Sequence, residues 1–277
     1  MDSKELTVII VTFKSEEKIK NCLKSISHET PIIVVENSDN GNFKKKIESD
    51  YDNARCILTG KNYGYAKANN IGLNLVKTKY ALVLNPDTIL EKGAIKNFLN
   101  TTKLKKDFWL MGPASGQMIN LDFKDSDLKE VDNIKGFAIF FNMSKFNKEY
   151  FDENYFLFFE EIDLCKKVKK NKGKIYLNRK IIINHEGASS VSKRNEFELE
   201  KNRNWHWMWS TFYYQKKYKG LILALIIISP KFFSSLIKTL FYLLILNHEK
   251  KDIYYCRLSG IFNSILGKKS WYRPSLD

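Results

Sequence analysis

Asp87 follows an apolar run, Tyr80 to Leu84, that stops abruptly at Asn85-Pro86-Asp87. A carboxylate just past the carboxyl end of a central strand lies where open α/β sheets bind ligands, and with an acidic or histidine partner it can hold a divalent cation. The same three residues are ordinary turn formers, so a plain strand-terminal turn also accounts for them. A second set of acids, Glu160, Glu161 and Asp163, follows the aromatic stretch from Phe151 to Phe159. If the chain is helical from about Glu160 to Lys170, with Gly173 as its stop, Glu161 shares a stripe with Leu164, Cys165 and Val168, whereas Glu160 and Asp163 fall on another face. Desolvation beside aromatic rings raises a carboxyl pKa toward the range of a general base, which makes Glu161 the candidate base. Capping of the helix start by all three acids is the alternative. His185, at the end of the run Ile181–His185, is a candidate second cation ligand, although a strand-end histidine is more often structural.

These groups need a scaffold, and the apolar pattern supplies one. Leu6 to Phe13 is a continuous run rich in β-branched residues, followed by helical spacing at Ile19, Leu23 and Ile26. Pro31–Val35 and Arg55–Leu58 read as further strands, Ile71, Leu75 and Val76 suggest a helix, and Tyr80–Leu84 is a strand buried on both faces. Strands alternating with helices over the first hundred residues imply βαβ units and a parallel sheet with right-handed crossovers. Phe108–Asn142 breaks the alternation and reads as the mixed edge of that sheet, with Gly136 either a close-approach glycine beside a ligand or a bulge. Ile181–His185 reads as another buried strand.

In such a sheet the loops at the carboxyl ends of the strands collect on one edge. Thr12, Glu36, Asn62, Gly64, Asn85 and Asp87 fall there, a polar rim suited to a nucleotide, although each alone is an ordinary loop residue. No GxGxxG follows the first strand and no GxxxxGK[ST] occurs, so neither a dinucleotide fingerprint nor a P-loop supplies phosphate binding.

The formal charge of +15 invites nucleic acid, an anionic membrane surface or a lysine-rich bias as explanations. No zinc-finger, helix-turn-helix or RNA-binding signature accompanies it, which argues against nucleic acid. Four scattered cysteines argue against a zinc site or a disulfide framework and fit a reducing cytoplasm, and the opening MDSKELTVIIVTF is too short in its apolar part for a secretory signal. Beyond residue 200 the composition shifts to tryptophan and tyrosine, then to the apolar pieces Leu221–Ser229 and Phe232–Leu246 around Pro230. Two interfacial helices kinked at Pro230 are the economical reading. A transmembrane hairpin, and a buried helical subdomain or homodimer contact, are the alternatives. The basic flanks, Lys216, Lys217 and Lys219 before and Lys250, Lys251 and Arg257 after, suit an anionic cytoplasmic leaflet. We therefore expect a domain at 1–200 and a helical, membrane-associated segment at 201–277.

Seven stretches, IIVTF, VVENSDN, KNYGYAKANNIG, LVLNPDTIL, GFAIFF, YFDENYFLFFEEIDLCKKVKKNKGKIYL and IIINHEGASS, resemble in order and spacing the family 2 glycosyltransferases of the rhamnosyltransferase-like type, over about residues 6 to 190. The resemblance implies a GT-A fold, a nucleotide-diphosphate sugar donor, a divalent metal (Mn2+ or Mg2+), and transfer with inversion to a saccharide or lipid-linked acceptor in bacterial polysaccharide or lipopolysaccharide synthesis. It implies that Asp87 is the metal-binding acid of a DxD-type motif whose first acid is Asn85 here, and that Glu161 is the base, where aspartate is commoner. It also implies that Thr12, Glu36 and Asn62 hold the nucleoside, Glu36 standing where aspartate is usual. A catalytically idle relative and a basic membrane-surface protein are the competing expectations.

Overall fold

The computed structural model describes residues 5–115, 123, 126–185 and 193–275, with side chains from 196 onward in the last span. It divides the chain into two compact units, Met1–Asp152 with Glu160–Gly187, and Glu153–Phe159 with Ala188–Asp277. The expected polar segment 122–132 lies partly, and the loop 186–190 wholly, outside the described residues.

The first unit is built on an eight-stranded sheet with the order β3-β2-β1-β4-β8-β6-β9-β7. The strands are β1 (Leu6–Thr12), β2 (Ile32–Glu36), β3 (Ala54–Leu58), β4 (Tyr80–Leu84), β6 (Phe108–Pro113), β7 (Leu128–Glu130), β8 (Ala138–Asn142) and β9 (Lys174–Asn178). β1 to β4 are parallel, whereas β8 runs antiparallel to both of its neighbours, β4 and β6. Of the segment read as the mixed edge, β6 and β8 are interior strands, β8 fully buried, whereas β7 is the last strand of the sheet.

Alternation along the strands sorts the helices into two layers. Leu6, Val8 and Ile10 share one core with α1 (Lys18–Lys24), α2 (Gly41–Asp50) and α4 (Ala94–Leu104). Ile9 lies in the other core, with α3 (Tyr65–Leu75) and α5 (Glu160–Lys170). The five residues of β4 are buried throughout, as a central strand covered on both faces must be.

Ile181–His185 departs from its expectation as another buried strand. Only Ile183–His185 forms a strand, β10, and it pairs antiparallel with β5 (Thr88–Leu90) in a separate two-stranded sheet, with Ile183 buried and Asn184 and His185 exposed.

In the second unit α6 (Lys193–Lys219), α7 (Leu221–Leu244) and α8 (His248–Ile265) enclose a small core of Met208, Phe212, Ala224, Ile228 and Ile261. The two apolar pieces expected around Pro230 form one continuous helix, α7. Proline offers no N–H to the Ile226 carbonyl, and the Ser229 hydroxyl donates to that oxygen instead, at 2.9 Å. Helix α7 is long and apolar enough to cross a membrane by length and composition, with a mean hydropathy of 1.8 over an 18-residue stretch of which 17% is buried.

Candidate active site

Strand order reverses at β1, whose neighbours β2 and β4 both leave it in parallel, so a crevice opens at the carboxyl ends of these strands. The sequence-predicted rim falls there. Thr12 ends β1 and Glu36 ends β2, paired in register, and the Thr12 hydroxyl donates to one Glu36 oxygen at 2.5 Å while Ser38 donates to the other at 2.5 Å. Burial raises the Glu36 pKa and these two hydroxyls hold it down. The residue is 2% exposed, so its carboxylate is engaged within the protein.

Asn62 and Gly64 form a loop that Asn37 organises. Asn37 donates to the Asn62 side-chain oxygen (3.0 Å) and the Gly64 carbonyl (3.2 Å), and accepts from the Tyr63 amide (2.9 Å). Gly64 precedes α3 with φ +84°, a left-handed setting that glycine adopts without a Cβ penalty. Asn37 was not among the expected rim residues, since the sequence VVENSDN marks a turn without saying which amide ties it to the next loop.

At the end of β4, the Asn85 amide donates to the Phe137 carbonyl (2.9 Å), and the Thr88 hydroxyl and amide both reach the Asn85 carbonyl, at 2.7 and 3.3 Å. Asn-Pro-Asp is thus a turn, and it also presents Asp87. The β5–β10 pairing sets His185 opposite Thr88 and brings its Nε2 to 3.2 Å from Asp87 Oδ1. Phe137 stacks on the His185 ring, with centroids 5.2 Å apart and planes 20° apart. Asp87 Oδ1 is buried and accepts no hydrogen bond among the described groups. A buried carboxylate oxygen lacking a donor beside an imidazole fits a cation, and no third His, Cys, Asp or Glu joins the pair among the described residues. That donor set suits a metal completed by substrate phosphates and water.

Helix α5 carries Glu160, Glu161 and Asp163 in its first turn and Lys167, Lys169 and Lys170 in its last, matching the helix dipole at both ends. The left-handed residue past its end is Lys172, φ +57°; Gly173 is required instead because a Cβ there would lie 2.8 Å from the Trp109 ring. Leu164, Cys165 and Val168 face the core as the stripe predicts, with Glu161 half-buried above them. The other two acids do not point to solvent: Asp163 is buried, and Glu160 is 5% exposed with its Oε2 lacking a hydrogen-bond partner. Burial and the Glu161 charge drive the Glu160 pKa well above the usual carboxylate range, and burial raises Glu161 as well.

Gly136 closes this side. A Cβ on it would lie 3.6 Å from Glu161 Cβ and 3.6 Å from the Tyr65 hydroxyl, ordinary contact distances, so Gly136 neighbours the candidate base without the space itself requiring a glycine. Tyr65 Oη donates to the Gly136 carbonyl at 2.6 Å, and its own pKa is raised well above normal by burial and by the charges of Glu160 and Glu161.

The sequence model of Glycosyl transferase family 2 matches residues 7–163, more than half of the 277 residues. The chain belongs to glycosyl transferase family 2. Within this family-2 chain the match runs from the start of β1 to Asp163 and takes in the crevice, Asp87 and Glu161. Among curated proteins it is 28% identical over 193 residues to the low-salt glycan biosynthesis hexosyltransferase Agl10 of Haloferax volcanii, covering 60% of this chain and 62% of that protein. It is 32% identical over 130 residues to the teichoic acid poly(glycerol phosphate) polymerase of Staphylococcus epidermidis, covering 43% and 18%. The chain thus spans less than two thirds of the length of either relative.

Solved structures share its fold. The mannosyltransferase PcManGT of Pyrobaculum calidifontis, in complex with GDP-Man and Mn2+, superposes with a TM-score of 0.57 at 10% identity over 96% of this chain and 88% of that one. Residues 1–349 of S. aureus TarS give 0.53 at 15% identity over 97% and 93%. Likeness at these identities establishes the GT-A-like fold of the family-2 chain.

Proposed function

We propose that this family-2 chain transfers a hexose, rhamnose included, from a nucleotide diphosphate to a hydroxyl of a saccharide or lipid-linked acceptor, with inversion, in the synthesis of a cell-surface polysaccharide. The observation that carries the reading is the pairing, in one family-2 fold, of a donorless buried Asp87 oxygen beside His185 with a half-buried, pKa-raised Glu161 beside Gly136. Glu161 takes the proton from the acceptor hydroxyl, whose oxygen forms the new bond to the anomeric carbon as the bond to the nucleoside diphosphate breaks. Tyr65 holds the Gly136 backbone beside the base. A Mn2+ or Mg2+ ion held by Asp87 and His185 would offset the charge of the departing diphosphate. Thr12, Glu36, Asn62, Gly64 and Asn85 frame the nucleotide, with Asn37 tying Asn62 and Gly64 together.

The exposed apolar side of α7, its basic flanks and the charge of +15 support attachment to an anionic cytoplasmic membrane surface. The test is nucleotide release from UDP-, dTDP- and GDP-sugars with and without Mn2+, in the native chain and in Glu161→Gln and Asp87→Ala. Metal-dependent release by the native chain, lost in both variants, is expected; full activity on an acceptor in both variants would overturn the assignment.

A further inference from the structure

The second unit contains an aromatic surface that the reading above does not use. Phe158 and Phe159, at the end of the segment Glu153–Phe159, pack on α6: Phe158 meets Trp207 edge-on (centroids 5.3 Å, 81°), and Phe159 touches both Trp207 (5.3 Å) and Tyr214 (5.4 Å). Tyr218 continues the row at 4.9 Å from Tyr214. These rings are not core. Phe158, Phe159, Tyr214 and Tyr218 are half-buried and Trp207 is 42% exposed, whereas Trp205 and Trp209 on the same helix are buried.

The backbone that presents the two phenylalanines is strained. Phe158 and Phe159 have φ of +68° and +71°, consecutive left-handed settings that bulky side chains rarely adopt. Such strain concentrates where a fold must aim a group at a ligand. The chain also keeps the backbone of Phe159 near that of Glu161. Phe159 is bonded to Glu160, and consecutive Cα atoms are 3.8 Å apart, so its Cα lies within about 7.6 Å of that of Glu161 in any conformation.

We infer that Phe158, Phe159, Trp207 and Tyr214 form a platform for the acceptor saccharide, a pyranose ring laying its C–H face on the open aromatic surface. A sugar ring is apolar on its faces and polar at its rim, which half-exposed aromatics match and a plain apolar anchor does not. The inference rests on the glycosyltransferase reading and adds the residues that meet the sugar whose hydroxyl is activated.

Saturation-transfer NMR on the full chain, using methyl glycosides of hexoses, 6-deoxyhexoses and N-acetylhexosamines, tests it. The expected result is binding of at least one glycoside through its C–H protons, weakened about tenfold in Trp207→Ala and restored by Trp207→Phe. An unchanged melting temperature in Trp207→Ala would show that the fold is intact. If the native chain releases nucleotide from a donor yet no glycoside binds, or binding survives in Trp207→Ala, the platform is wrong and the glycosyltransferase reading stands. Glycoside binding lost in Trp207→Ala, without donor turnover by the native chain, leaves the platform and removes that reading. Weakened retention of Trp207→Ala on phosphatidylglycerol vesicles, with glycoside binding intact, makes the surface a membrane anchor and overturns the inference.

Discussion

Nε2 of His185 lies 3.2 Å from Oδ1 of Asp87, a contact made by pairing the three-residue strand β10 against the three residues that follow Asp87. Neither group is placed by the large sheet alone. We predict that Mn2+ with GDP or UDP raises the melting temperature of the native chain, by about 2.7 kcal/mol of added stability when ligand exceeds its dissociation constant a hundredfold. Asp87→Asn should abolish this gain and His185→Ala should reduce it. An unchanged shift in Asp87→Asn places the cation elsewhere.

Glu161→Gln should lower the transfer rate about a hundredfold to ten-thousandfold, the range for loss of a positioned base. The pH profile carries a second prediction. A base must be deprotonated to act, so activity falls as pH drops through the Glu161 pKa, and burial places that limb above the ordinary value of 4.5. Burial and the Glu161 charge keep Glu160 protonated while Glu161 titrates, so Glu160→Gln swaps one neutral side chain for another and should leave the limb in place. The same change should stabilise the fold at neutral pH. Folding raises the Glu160 pKa, so its contribution to stability is present at low pH and is lost as pH rises past the unfolded value toward the raised folded one. A limb that moves to lower pH in Glu160→Gln would mean that Glu160 is ionised while Glu161 titrates.

Much of this site was legible because its residues end strands. Thr12, Glu36 and Asp87 follow runs too apolar to be anything but buried strands, and the stripe of Leu164, Cys165 and Val168 picked out Glu161. Helix α2 was not legible, since GNFKKKIESD buries only Phe43 and Ile47 and carries little periodicity. Strand β9 was hidden in the same way by its flanking lysines and asparagines. The burial of Glu160 and Asp163 was not legible, because a helical wheel assumes one buried face, whereas α5 buries acids on two. Tyr65 and Asn37 act through contacts 71 and 25 residues away in sequence, which no local pattern encodes.

Gly260 of α8 lies against the backbone of α6, where an added Cβ would come within 2.3 Å of the Trp205 carbonyl oxygen. No side-chain rotation relieves a clash with backbone. Gly260→Ala should cost about 1–3 kcal/mol and lower the melting temperature of the helical unit by about 4 °C or more. Gly136→Ala is the control: its Cβ meets only ordinary contacts at 3.6 Å, and its melting temperature should match the native one.

His206 is buried between the Ser270 hydroxyl at Nδ1 (2.8 Å) and the Tyr272 carbonyl at Nε2 (2.9 Å). The carbonyl can only accept, so Nε2 carries the proton and Nδ1 accepts from the hydroxyl. Burial lowers the pKa to about 3 against the Tyr272 bond, with the Arg273 charge adding to the fall. Between 6.5 and about 3 the unfolded chain binds a proton that the folded one refuses, so stability declines as pH falls, by up to about 1.4 kcal/mol per unit. Denaturant melts from pH 7 to pH 4 should show this slope, and His206→Gln should flatten it. An equal slope in the variant would assign the acid sensitivity to other groups.

Helix α7 buries Ala224, Ile228 and Ser235 and turns Ile222, Ile226, Phe233, Ile237, Leu240 and Leu244 to solvent at intervals of three, four and seven, with Ile222 75% and Leu244 81% exposed. One side packs in the helical unit, and the other is a continuous apolar stripe the length of the helix. A helix held on one side by its own protein, with basic residues at both ends, supports the proposed attachment to a bilayer surface. Each stripe residue that enters the acyl boundary adds roughly 1.5–3 kcal/mol, so Ile226→Lys with Ile237→Lys should lower binding to phosphatidylglycerol vesicles by about a hundredfold or more. The fold should be unaffected, because both positions are exposed. Alkaline carbonate distinguishes the two membrane geometries: a helix lying in the interface is extracted, whereas a spanning one stays with the pellet. Retention in the pellet would overturn the peripheral reading, and equal binding of native and double-lysine chains would remove the stripe from membrane attachment altogether.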